Sequence, residues 1–118
     1  MSQSAPQAAA FYREIASGGS VWTLRDSTGF PAPKNSEGRR AQPFWSSRGR
    51  VERIIASVPA YSSFSVVEIR WTEFCERWIP GLAKDRILVG LNWSGAHATG
   101  YDVEPEDVLL NVRGHAAG

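Results

Sequence analysis

The sequence predicts a single α+β domain with α/β-like order: a mixed sheet of four to five strands packed by about four helices. Three observations carry this. The chain of 118 residues is 42% hydrophobic with five Trp, enough to bury a core in one domain without cross-links. Apolar residues recur at helical spacing in some segments and alternate or run together in others. From residue 41 to 93 the two patterns follow one another as strand, helix, strand, helix, strand.

Residues 4–17 predict the first helix, with Ser4 as a possible cap and Ala8, Phe11 and Ile15 on one face, ended by Gly18 and Gly19. Trp22 and Leu24 share a face of a strand over 21–26. The stretch 27–40 holds Gly29, Pro31, Pro33, Asn35 and Gly38 and reads as a long loop or elaborated hairpin. Pro43 marks 41–45 as an edge strand or the start of one. Val51, Ile54, Ile55 and Val58 form one helical stripe that Pro59 stops. Over 65–71, Val67, Ile69 and Trp71 alternate inward, and Thr72 then caps a helix with Phe74, Cys75, Trp78 and Ile79 inside, ended by Pro80-Gly81. The near-continuous apolar run 86–93 predicts a strand covered on both faces. A loop follows, and then a helix with Pro105 at its first position, Glu106 and Asp107 on its dipole and Gly114 at its close. Right-handed crossovers make strands 41–45, 65–71 and 86–93 parallel, with 21–26 antiparallel to 41–45. Residues 1–118 form one domain, frayed at 1–3 and 114–118.

Net charge is +1, so no global field draws the chain to nucleic acid or membrane. Residues 1–53 nevertheless hold eight basic against four acidic side chains, and Arg39, Arg40, Arg48, Arg50 and Arg53 fall together with only Glu52 opposing. Cys75 is the only cysteine, which excludes an internal disulfide and suits a reducing compartment. With no basic, apolar leader and no apolar run of membrane length, the expected location is the cytoplasm.

The helix after Ser47 breaks a rule. Its first turn carries Arg48 and Arg50 where the macrodipole favours a carboxylate, and neither Ser46 nor Ser47 has an acid three residues on. Free amide hydrogens, two hydroxyls and guanidinium groups could converge there on a phosphate, a carboxylate or an acidic partner surface. The plainer alternative is a serine cap with arginines in water or paired to the chain's own acids. Strands 41–45 and 86–93 both lead into serine-containing segments, and ligands bind outside the carboxyl ends of parallel strands. The candidate ligand site is therefore Lys34, Trp45, Ser46, Ser47, Arg48, Arg50, Asn92, Trp93 and Ser94. No catalytic residues, metal ligands or cofactor motif are expected: His97, His115 and Cys75 are dispersed, and "NWSGA" lacks the first glycine of a nucleophile elbow.

The segments "FYRE" (11–14), "VWTL" (21–24), "GFPAPKN" (29–35), "PFWSS" (43–47), "VPAY" (58–61), "RWIPGL" (77–82), "VGLNWSG" (89–95) and "ATGYD" (98–102) together resemble a family of small bacterial proteins catalogued as a domain of unknown function. The resemblance spans roughly residues 10–112 and implies no reaction. The order around "PFWSS" and "ILVGLNWSG" is also similar to that of enhanced-serine-sensitivity and immunity-like α/β domains, which implies action through protein contacts. The leading expectation is a non-enzymatic protein-interaction or regulatory module. The alternatives are a binder of a small anion at 46–50 and weak nucleic-acid binding through the 39–53 arginines with Phe44 and Trp45.

Overall fold

Ala8, Phe11 and Ile15 face the core from the first helix of the computed structural model, which describes residues 4–117. That helix, α1 (Ser4–Gly18), ends where Gly19 turns to φ +77° and its N–H returns to the Ile15 carbonyl. Five strands follow: β1 (Ser20–Arg25), β2 (Ala41–Phe44), β3 (Ser65–Arg70), β4 (Leu88–Ser94) and β5 (Thr99–Val103). Between them lie α2 (Arg48–Ser57), a 3-10 turn (Pro59–Tyr61), and a helical run of α3 (Trp71–Glu73), a π-helical stretch (Phe74–Trp78) and α4 (Ile79–Lys84). The last helix is α5 (Pro105–Ala117).

β1 pairs with β3 antiparallel, while β2, β4 and β5 form a second sheet in which β2 runs parallel to β4 and β4 antiparallel to β5. Reciprocal backbone hydrogen bonds between Trp22 and Trp45, at 2.7 and 2.8 Å, join β1 to β2 and place the strands in the spatial order β3, β1, β2, β4, β5. Pro43 explains why that joint is a single bridge. The next antiparallel pairing on this edge would need an N–H from Pro43, which has none, and the Thr23 hydroxyl donates to the Pro43 carbonyl instead, at 2.8 Å.

Several expectations are corrected here. Pro43 sits in a strand flanked on both sides, not at an edge. β3 points the same way as β2 and β4 but lies beyond β1, so it pairs with neither. β5 begins inside the 94–100 segment that the sequence predicts as a loop. The helix expected from Thr72 begins at Trp71 with Arg70 as its cap, and Pro80-Gly81 does not end it. Pro80 falls in the first turn of α4, just after the π-helical stretch, where its missing N–H is least costly. α5 likewise runs through Gly114 to Ala117; the fraying expected at 1–3 and at 118 concerns residues outside those described.

The sheet is covered unequally. One face carries α1, the α3–α4 run and α5, which enclose Phe11, Phe44, Phe74, Leu91 and Val108. The other carries only α2 and the 3-10 turn, enclosing Leu24, Trp45, Val51, Ile54 and Trp93. β4 is buried on both faces from Leu88 to Trp93, as its composition predicts. α2 is ten residues long and packs against β1 and β3, leaving the β4–β5 side of that face uncovered. No helix of the described residues is long and apolar enough to cross a membrane.

Candidate functional site

The start of α2 is where the sequence predicts a ligand, and its geometry resolves the misplaced arginines. Ser47 is the cap, its side chain accepting from the Arg50 N–H at 3.3 Å. Arg50 turns to α1 and forms a two-point pair with Glu14, Nε to Oε1 at 3.0 Å and Nη2 to Oε2 at 2.8 Å. The Ser46 hydroxyl donates to the same carboxylate at 2.7 Å. Hydrogen bonds from Arg50, aided by Ser46, hold the Glu14 carboxyl below its ordinary range against the opposing effect of burial. The acid that the first turn of α2 lacks in sequence is supplied from another helix.

Ser46 also anchors Asn92, whose Oδ1 accepts from the Ser46 N–H at 2.9 Å and whose Nδ2 donates to the Gln7 carbonyl at 3.2 Å. Asn92 sits at φ +48° in a bulge of β4, where the register with β5 slips between Leu91 and Ser94. Asparagine tolerates this left-handed conformation better than most residues. Asn92 turns toward α1 and Trp93 toward the opposite cluster, and both are buried. The Trp93 indole folds back over Gly90 and Gly100. A Cβ on Gly90 would overlap the ring, and one on Gly100 would lie 2.9 Å from its Cδ1. The Trp93 carbonyl accepts from the Trp45 indole at 2.9 Å.

Of the residues singled out in sequence, Trp45, Arg50, Asn92, Trp93 and Ser94 meet around a crevice of about 270 Å³, with Ser46 and Ser47 adjoining. Two lie apart. Arg48 pairs with Glu52 at 3.1 Å and places its guanidinium over Trp22. Lys34 belongs to a different, larger groove. Trp45 and Phe44 are both fully buried, so neither ring presents a face on which a base could stack. Arg39, expected to add to a basic patch, is paired with Glu104 at 2.8 Å.

The larger groove, of about 640 Å³, occupies the part of the sheet that α2 leaves open. Lys34, Asn35 and Glu37 form one wall, Tyr61 a second, and His97 and Tyr101 of the β4–β5 hairpin a third. Asp102 ties two walls together, accepting from Asn35 Nδ2 at 3.2 Å and from the Trp93 indole at 3.0 Å. Asn35 also turns its own loop, its Oδ1 accepting from the Glu37 and Arg39 amides. Of these residues only Lys34 and Trp93 belong to the set predicted from sequence. Tyr61, Tyr101 and Asp102 lie in segments that carry the family resemblance but were not read as site residues. Glu14 and Gln7 carried no local signal, because α1 meets α2 only in the folded chain.

Residues 8–111 match the family described as "Protein of unknown function (DUF2750)". The chain belongs to the DUF2750 family. The match takes in every strand, α2 and the α3–α4 run, as well as the lining of both cavities apart from Gln7. No curated protein matches this DUF2750 chain. Among the described residues, no three His, Cys, Asp or Glu side chains gather so as to hold a metal ion.

Proposed function

We propose that this DUF2750 protein is a non-catalytic binding module that docks a segment of another protein in the groove walled by Lys34, Tyr61 and Tyr101. One observation carries the reading. Four segments that bear the family resemblance, at 29–35, at 58–61 and, in one hairpin, at 89–95 and 98–102, meet at this groove from three distant parts of the chain. Its chemistry suits a side chain with an apolar body and a carboxylate. Tyr61 and Tyr101 offer ring surface, Lys34 has no ion pair among the described residues, and Asp102 is occupied by two donors.

The test is capture from native lysate by the wild-type chain and by a Lys34→Glu/Tyr101→Ala variant. A stoichiometric partner held by the first and lost by the second, at unchanged melting temperature, supports the groove. A partner held equally by both rejects it. A second reading, a small anion in the crevice beside α2, is favoured by Arg53 and Ser94, which line it outside the Glu14 pair. A phosphate titration followed at the amides of 46–50 and 92–95 decides that case, and no shift at about 10 mM would reject it.

A further inference from the structure

A third depression, of about 270 Å³, lies on the opposite face of the molecule against the α3–α4 run. Its origin is Gly81. Arg77 of the π-helical stretch, Gly81 of α4 and Asp85, the C-terminal cap of α4, all line it, and the middle one has no side chain. A Cβ built on Gly81 meets nothing within 4 Å. A cation and an anion thus flank a gap. Neither is in an ion pair among the described residues. Trp78, Leu82 and Ile87 give the gap apolar walls.

Two further observations mark this place. Gln42 lines the depression, 5% exposed, and its Nε2 is the one buried side-chain polar atom without a hydrogen-bond partner among the described residues. Natural folds seldom leave such a donor unmet. The helix beside it also carries the π-helical stretch, an irregularity that costs regular hydrogen bonding and recurs at functional sites.

We infer that the depression binds a small zwitterion of the α-amino-acid type. A lone carboxylate would suit Arg77 and the Gln42 amide but face the charge of Asp85, and a lone amine would suit Asp85 but face Arg77. A molecule carrying both answers both. Its carboxylate lies toward Arg77, with Gln42 turning its buried Nε2 outward to donate, its ammonium toward Asp85, and an aliphatic side chain rests on Trp78 and Leu82.

The probe is L-leucine, titrated into the ¹⁵N-labelled full chain, with its carboxamide and its deaminated acid as the two half-molecules. Saturable shifts of the Gln42 side-chain amide and of residues 77–87, with a Kd of about 1 mM or tighter, are expected. Each half-molecule binds at least about tenfold more weakly, the factor that about 1.4 kcal/mol gives. Gly81→Leu, whose Cβ meets no other atom and whose side chain occupies the gap, and Gln42→Leu, which removes the donor, each abolish the shifts while the protein remains folded. No saturable shift at about 10 mM, equal binding of either half-molecule, or undiminished binding by the Gly81→Leu variant overturns the inference.

Discussion

Glu14 sits in the last turns of α1, and its carboxylate is shared by a guanidinium and a hydroxyl from the start of α2. Both members of the Arg50–Glu14 pair are about one-quarter to one-third exposed, which places it between a surface bridge and a buried one. Arg50→Ala is therefore expected to cost about 1–2 kcal/mol, read from urea midpoints. The pH dependence has a definite sign. The folded-state pKa is depressed, so the stabilisation is complete above the unfolded-state value and is lost as pH falls through the folded one. Glu14→Gln should flatten the decline in stability below about pH 4 and leave the neutral-pH slope unchanged. Trp93 makes a second sharp case. Gly90→Ala drives a methyl into its indole and should cost about 2–3 kcal/mol, yet add less than about 1 in a Trp93→Leu background. Equal costs in both backgrounds would mean that the ring is not what requires glycine.

Most elements were legible because their periodicity is local. α2 carries its whole stripe from Val51 to Val58, and β4 announces burial on both faces through an unbroken apolar run. What failed needed a neighbour. β5 has a glycine at its second position and only Val103 as an aliphatic residue, and becomes a strand because β4 offers it an edge. Pro43 reads as an edge marker until the Thr23 hydroxyl is seen to satisfy its carbonyl from the neighbouring strand. Pro80 reads as a stop until the π-helical stretch ahead of it is known to turn its position into a first turn. Pro80→Ala should accordingly alter stability by less than about 1 kcal/mol, against the 3 or so that a proline in a regular helix interior would cost. A gain approaching about 3 kcal/mol in thermal unfolding would show that Pro80 strains the helix after all.

Across the molecule, one ion pair and one polar contact join the two halves of the chain, while Arg48–Glu52 and Arg50–Glu14 close within the first. Arg39 of the basic half meets Glu104 of the acidic half, and Asn35 meets Asp102. The candidate residues separated on the same principle. Those tied to the strand ends, from Trp45 to Ser94, were legible because parallel strands share an end. Lys34 was drawn to the other groove because the 33–38 loop is pinned across the sheet by Asp102, a partner 67 residues away.

The Asn92–Gln7 bond joins positions 85 apart, and Asn111 reaches Tyr12 across 99. Docking α1 closes loops of that length, whose entropy cost falls before the contacts reward it, so the Glu14 network closes late. Mutations there should leave the refolding rate nearly unchanged and fall on the unfolding arm of the chevron. Stopped-flow traces of Arg50→Ala with a slowed folding arm would place α1 in the nucleus instead. With the folding arm unchanged, the first helix in sequence is the last to be sealed, acting as the latch on an otherwise assembled sheet.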